Sequence, residues 1–514
     1  MSTEQLSTVD AVVRRSASRT PGRAALQFDK RTWTYADLDA SISRVAGWLL
    51  SQDLSPGDRV AAFGHNSDAY LLGYLGCARA GLVHVPVNYN LNAADLAYLL
   101  RQSGSKGLLL DPALASTADD ALKHLEEAER PSVRLSLRYE IGSVLDATVD
   151  EAWGGVELPV VRDDDLAQLL YTSGTTSLPK GAMMTHRALV HEYMSCVAAL
   201  DLGPDDRPVN VFPLYHSAQM HVFLMPWLMV GAGNVLLEAF DPAAVFDEIE
   251  AGGDCFFAPP TAWIGLANHA EFGTRDLSSL RKGYYGASIM PVPVLQRLQE
   301  RLPDLGFYNC FGQSEIGPLA MVLRPEEHAE RPASCGRPVV FVEARCVDEE
   351  GADVAPGDRG EVVYRSPQLC TGYWADEAAT DLAFRDGWFR SGDMAVRDDG
   401  GFYTVVDRLK DVINTGGVLV ASREVEDALY GHPAVAEVAV IGVPDDRWIE
   451  AIVAVVVLGD SSVSGDSLLA YGKERLARFK APKQVYVVDE LPKNASGKLL
   501  KRVLRDEFAD RHDA

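Results

Sequence analysis

The chain has little positive charge for its size. Across 514 residues, 48 Lys and Arg stand against 73 Asp and Glu, a formal net charge of −25. An acidic surface repels nucleic acid and anionic lipid, so neither is expected as a bulk partner, although a local basic pocket for an anionic cofactor stays open. Cysteines are few and scattered, at 77, 196, 255, 310, 335, 346 and 370, with no CxxC pair and no Cys/His cluster. That pattern offers no structural zinc site and fits reduced, mostly buried thiols. A long uninterrupted apolar run is also missing. The most apolar stretch, Val222 to Leu237, is broken by Pro226, Gly231, Gly233 and Asn234 and reads as buried strand and helix rather than a membrane span. Met1 to Asp10 is polar and lacks the apolar core of a signal peptide, so a cytoplasmic location is expected. No internal repeat and no low-complexity tract is present. The composition, 47% apolar and 24% charged, is that of a globular protein too long for one ordinary domain.

What is there is organised around Tyr171-Thr172-Ser173-Gly174-Thr175-Thr176-Ser177-Leu178-Pro179-Lys180-Gly181. It follows the apolar run Leu166 to Leu170, which reads as a buried strand, and precedes a helical pattern from Arg187 to about Leu200. A loop rich in glycine and hydroxyls, with one lysine, suits phosphate. Glycine admits close backbone approach, hydroxyls donate, and lysine supplies a point charge. The lysine precedes the second glycine, so the G-x-x-x-x-G-K-[ST] loop of the P-loop NTPases is excluded. An ordinary polar connection between strands is the alternative.

Along the chain, Thr32 to Tyr35 reads as strand, Ala36 to Leu50 as helix, Asp58 to Phe63 as strand, Ser67 to Gly81 as helix and Val83 to Val87 as strand. This alternation predicts a layered α/β domain. Residues 112 to 160 are the least patterned and read as surface excursions. From Gly336 to Val406, short strands with Gly, Asp and Pro turns predict a small barrel-like β subdomain. Beyond about Lys410, helix Arg423 to Leu429, strands Val435 to Val443 and Ala451 to Leu458, helix Ser467 to Leu476 and strand Gln484 to Val488 make a compact α+β unit.

The loop resembles the phosphate loop of the AMP-forming acyl-CoA synthetases, in the adenylate-forming superfamily with luciferases and peptide-synthetase adenylation domains. Ser177 stands where that pattern has glycine. Four further segments are similar to the family's motifs, in its order: Phe311-Gly312-Gln313-Ser314-Glu315, Trp388 to Asp393, Asp407 to Gly417, and Pro492 to Lys498. A weaker one, Tyr284 to Ser288, resembles the segment that lies along adenine. Gly312 to Gly317 is one residue too long for a G-x-S-x-G nucleophile elbow, so Ser314 is no hydrolase nucleophile.

The resemblance implies a division into an adenylation domain, 1–409, and a mobile C-terminal domain, 410–514. It implies ATP, Mg²⁺ and CoA as cofactors. Thr172, Ser173, Gly174, Thr175, Thr176 and Lys180 would meet phosphates, and Gly286, Ala287, Ser288, Phe311 and Gly312 would meet adenine. Ser314 would meet the α-phosphate and Glu315 the metal. Asp393 would meet ribose and Arg408 ribose or phosphate, Lys410 would be the hinge, Gly417 would border the pantetheine tunnel and Lys498 would be the catalytic lysine. Leu419 replaces a frequent asparagine. Pro213-Leu214-Tyr215-His216 resembles the segment gating the acid's carboxylate, although His216 is equally read as a core histidine. Tyr215, Met220, Phe223, Trp227, Trp263, Ile316 and Leu319 could line an apolar tunnel or form core. No acidic anchor for an amine stands near Phe256-Phe257, so a hydrophobic carboxylic acid is the preferred substrate class. Transfer of acyl-AMP to a carrier-protein thiol or another nucleophile, a non-catalytic nucleotide binder, and a homodimeric assembly are kept as alternatives.

Overall fold

A computed structural model describes residues 7–138, 141–172, 178–287, 290, 292–408, 411–415, 418–445, 448–459, 462–493 and 499–512. Of the candidate residues, Ser173, Gly174, Thr175, Thr176, Ser288, Lys410, Gly417 and Lys498 lie outside them, as does Ser177.

Four sheets carry the fold. In the first the strands lie in the order Val133–Ser136, Gly107–Leu110, Arg59–Phe63, Val83–Val87, Leu166–Thr172, Lys180–Thr185. The first five are parallel and the last pair is antiparallel. Val83–Val87 is buried at every position, as a strand covered by helices on both faces must be. The covering helices start where the sequence offers a cap. Thr34, Ser67, Asn92 and Thr185 each accept from the backbone N–H three residues on, satisfying a donor the helix cannot.

In the second sheet six parallel strands, Ala24–Phe28, Asn234–Leu236, Pro208–Asn210, Cys255–Phe257, Lys282–Gly286 and Gly306–Phe311, lie side by side in that order. The third sheet, from Glu343–Val347 to Tyr403–Arg408, is antiparallel, and Tyr403 Oη reaches across it to donate to Ala344 O (2.7 Å), curling the sheet on itself.

The fourth sheet pairs Val435–Asp445 with Ile449–Leu458 and adds Ile413–Thr415, Val418–Val420 and Gln484–Val487. Alternation along Ile449–Leu458 sends Ile452, Ala454 and Val456 to one core, with Val425 and Leu468. It sends Ala451, Val453 and Val455 to another, with Leu504 and Phe508. All seven cysteines are buried and free. Among the described residues no helix is long and apolar enough to cross a membrane.

A buried polar chain runs from helix His186–Ala199 through the turn Ala218–Leu224 to two strands of the first sheet. Tyr193 Oη bonds His221 Nδ1 (2.9 Å), His221 Nε2 bonds Gln168 Oε1 (2.7 Å), and Gln168 Nε2 bonds His84 Nδ1 (2.9 Å). Amide polarity fixes the tautomers: His84 accepts at Nδ1 and His221 donates from Nε2. Burial lowers both imidazoles to about 3, and lowers His186 to about 4. Folded pKa values below the ordinary 6.5 mean that these three stabilise the fold above pH ~6.5 and that this is lost as pH falls toward 4. Each group contributes a slope of about 1.4 kcal/mol per pH unit in that window. The urea midpoint is therefore expected to drop steeply between pH 6.5 and 5. A flat midpoint there would show that these histidines are charged in the folded protein.

Candidate active site

The C-terminal ends of the parallel strands of the second sheet open onto a pocket lined by Phe212, Pro213, His216, Ala218, Gln219, Phe257, Pro259 and Ala287. Ligands favour this end of a parallel sheet because helix N-termini and loops converge there. The backbone must come close at this point. A Cβ on Gly286 would lie 2.3 Å from Cys310 O, so only glycine permits the register of Gly286 opposite Cys310. Ala287 follows with φ 64°, turning the chain out of the strand.

His216 is half-buried on the pocket wall, with Nδ1 accepting from Ala218 N (3.3 Å). Its segment is pinned from the first sheet by Asn66, which donates to Phe212 O (2.9 Å) and accepts from Leu214 N (2.8 Å). A π-helical turn, Ala218–Leu224, follows. Such turns recur at functional sites. This one puts Gln219 on the pocket and His221 in the polar chain. Ser217 Oγ and Ser314 Oγ share a hydrogen bond of 2.9 Å, which joins the His216 segment to the Ser314–Ile316 turn.

Glu315 on that turn is 8% exposed, and Tyr373 Oη donates to its Oε1 (3.0 Å). No lysine or arginine among the described residues pairs with it. Thr172 and Lys180 face each other as the last rung of their antiparallel pair, on either side of residues 173–179. The Lys180 ammonium lies 5.4 Å from the centre of the Tyr373 ring. Asp393, 3% exposed, sits opposite Arg408 across two strands, and Arg408 Nε donates to its Oδ1 (2.7 Å).

On the last strand of the third sheet, Asp407 Oδ2 accepts from Ser422 N (2.6 Å) and Ser422 Oγ (2.7 Å) at the start of helix Ser422–Tyr430. Lys501 then bridges Ser422 Oγ and Glu426 Oε1 (2.8 Å). Burial lowers the Lys501 ammonium, but Glu426, Asp407 and Asp411 outweigh it and hold the net shift upward.

The structure thus brings His216, Ala287, Ser314 and Glu315 to one region, with Lys180 beside Glu315 through Tyr373. Met220, Phe223, Trp227, Trp263, Ile316 and Leu319 are packed in hydrophobic clusters and do not line the pocket. Phe223 stacks on the pocket residue Phe257 (4.3 Å), so it forms a layer behind the wall. Tyr215 packs on Tyr89, away from that wall. Sequence reasoning missed Asn66, Gln219 and Tyr373. Asn66 and Gln219 act through backbone and amide contacts that leave no motif. Tyr373 in Gly-Tyr-Trp was legible only as an aromatic after a glycine.

Comparison with known proteins places this geometry. The AMP-binding enzyme profile matches residues 13–374, and the profile of the AMP-binding enzyme C-terminal domain matches residues 424–498. A feruloyl-CoA synthase of Amycolatopsis is 39% identical, over 96% of this chain and 98% of that one. An indoleacetate–CoA ligase of Aromatoleum aromaticum is 32% identical, over 96% and 97%. The crystal structure of ATP-bound MatB from Rhodopseudomonas palustris superposes with a TM-score of 0.88 at 29% identity, covering 98% of this chain and 100% of the other. With matches spanning both the large and the small sheets, and the strand-end pocket beside the Ser314–Ile316 turn, the chain belongs to the AMP-binding enzyme family.

Proposed function

We infer that the protein activates a hydrophobic carboxylic acid with ATP, giving acyl-AMP and pyrophosphate, and then transfers the acyl group to CoA as a thioester. The observation that carries this reading is the Ser217–Ser314 hydrogen bond, because it makes the apolar pocket and the nucleotide-site candidates contiguous. An acid held by Phe212, Phe257 and Ala287 would present its carboxylate at His216.

In the first step a carboxylate oxygen bonds to the α-phosphorus while the bond to pyrophosphate breaks. Two anions meet, so donors must stand where negative charge grows. Thr172, the hydroxyls of 173–176, Lys180 and Ser314 would serve the phosphates. Phe311 offers a flat face to adenine. Asp393, its carboxylate plane set by Arg408, would accept from the ribose hydroxyls. Glu315 would hold Mg²⁺, since a buried carboxylate with no described cationic partner is a hard-oxygen ligand. The ion, when bound, neutralises charge on the phosphate oxygens. In the second step a thiolate attacks the acyl carbon and AMP leaves. The unit from 410 to 514 would turn about Lys410 between the steps, carrying Lys498 away and bringing Gly417 to the thiol's approach.

The flat aromatic walls, together with relatives named for feruloyl and indoleacetate, favour an acid bearing an aromatic ring. Pyrophosphate release with a panel of aryl, medium-chain and long-chain acids, with and without CoA, tests this. Release with aryl acids and thioester formation on CoA are expected. Release without thioester would point to a carrier-protein or other acceptor, and no release with any acid would defeat the enzymatic reading. His216→Ala is expected to lower kcat/KM for the acid about 10-fold or more while changing KM for ATP little, as loss of a positioned polar group does. A fall in melting temperature with unchanged kcat/KM would return His216 to a purely structural role.

A further inference from the structure

One short segment holds two parts of the site at a fixed spacing. Residues 370–374 run along strand Lys180–Thr185 as an added edge. Thr371 N donates to Met183 O (3.0 Å), Met183 N to Gly372 O (2.9 Å), and Trp374 N to Gly181 O (2.8 Å). Ala182 and Tyr373 form the bridge pair between them. On its other side Cys370 N donates to Glu315 O (2.7 Å). Gly372 adopts φ 142°, and a Cβ there would lie 2.8 Å from Thr380 Cγ2; Thr380 Oγ1 in turn accepts from Tyr373 N (2.9 Å). The backbone of Tyr373 is therefore set from three directions.

The segment is anchored below as well. Gln368 Nε2 donates to Leu319 O (3.1 Å), to Ile316 O (3.3 Å) and to the fully buried Glu192 carboxylate. Glu192 Oε1 accepts from Leu319 N (2.8 Å). Glu192 and Gln368 thus frame the backbone that follows Glu315. From this frame the Tyr373 ring faces Lys180 at 5.4 Å while its hydroxyl donates to Glu315 Oε1 at 3.0 Å.

We propose that Tyr373 is a positioning residue that sets the metal-binding orientation of Glu315 and ties it to the phosphate-loop lysine, Lys180. This deepens the proposed function and rests on Glu315 as the Mg²⁺ ligand. A hydrogen bond to one carboxylate oxygen fixes the rotation of the group and so aims its other oxygen. The aromatic face holds the ammonium within the range at which ring and cation attract.

The two contacts separate by mutation. Tyr373→Phe removes the hydroxyl and keeps the ring, and Tyr373→Leu removes both. Calorimetric titration with a non-hydrolysable ATP analogue, with Mg²⁺ and with EDTA, reads binding without turnover. Tyr373→Phe is expected to bind the analogue like wild type in EDTA, and to need about 10-fold or more Mg²⁺ for the metal-dependent gain, the usual loss when a ligand's outer partner is removed. Tyr373→Leu is expected to weaken the EDTA binding too. In the Glu315→Gln background, Tyr373→Phe should add no further metal defect. A wild-type Mg²⁺ response in Tyr373→Phe, or equal loss in EDTA for both variants, overturns the proposal. A wild-type Mg²⁺ response in Glu315→Gln itself would instead overturn the metal assignment on which it rests.

Discussion

Lys498→Ala is expected to form acyl-AMP from acid and ATP about 10²–10³-fold more slowly than wild type, the usual loss when one charge-stabilising donor is removed. The same variant should convert supplied acyl-AMP and CoA to thioester at a near-wild-type rate. Lys498 belongs to the segment between Lys493 and Leu499, which pair with each other at its base, and Lys493 Nζ is tied to Glu437 (2.5 Å) in the C-terminal sheet. In the proposed division the lysine is carried by the small unit, while the proposed acid pocket and Glu315 belong to the large one. In the proposed closed arrangement its ammonium would span the carboxylate and the α-phosphate oxygens. Negative charge accumulates there as the P–O bond forms, so it lowers the transition state more than the ground state. In the proposed rotated arrangement, thiol attack would have no use for it. Single-turnover assays of the two half-reactions, run separately, check this. Equal loss in both would make Lys498 structural, or remove the rotation from the mechanism.

Glu315→Gln is expected to lower adenylation by about 10²-fold or more at limiting Mg²⁺, with an almost unchanged melting temperature. Glutamine is the informative replacement because its amide oxygen still accepts from Tyr373 Oη and the side chain still fills its site. Alanine would leave that phenol without a partner at a cost of about 1–3 kcal/mol, mixing stability with function. Pyrophosphate release across an Mg²⁺ titration, with thermal unfolding alongside, separates the two effects. Wild-type rates at limiting Mg²⁺ would remove Glu315 from the metal site.

The parts of this molecule written in local periodicity were readable from its sequence. Helix Asp68–Arg79 and strands Val83–Val87 and Val435–Asp445 are apolar runs bounded by caps and turns, and such runs form without regard to distant residues. The sequence did not disclose strand Ala24–Phe28, whose place depends on pairing with Asn234–Leu236 more than two hundred residues away. The described residues of 112 to 160 include short helices and the edge strand Val133–Ser136, too brief and too polar to show a period. The site divides in the same way. Glu315, Asp393 and Arg408 were named because each stands in a contiguous motif. His216 was ambiguous because a half-buried imidazole looks the same in sequence whether it faces a pocket or a core. Met220 and Ile316 were candidates for the pocket by their type alone, and packing took them into the interior. Tyr373 escaped notice because its importance lies in meeting Lys180 and Glu315, which are far from it along the chain.

The carboxylate of Asp407 has consequences for anyone exchanging the small domain with that of a relative. Two of its donors, Ser422 N and Ser422 Oγ, arrive from beyond the proposed 409–410 junction, and Ser422 Oγ also accepts from Lys501 near the end of the chain. A graft made at that junction keeps Asp407 from one parent and takes positions 422 and 501 from the other. A parent with proline or alanine at 422 would deliver no hydroxyl, and one with an acidic residue at 501 would set like charges around Glu426. Donor domains are therefore compatible according to the residues at those two positions, whatever their overall identity to this chain.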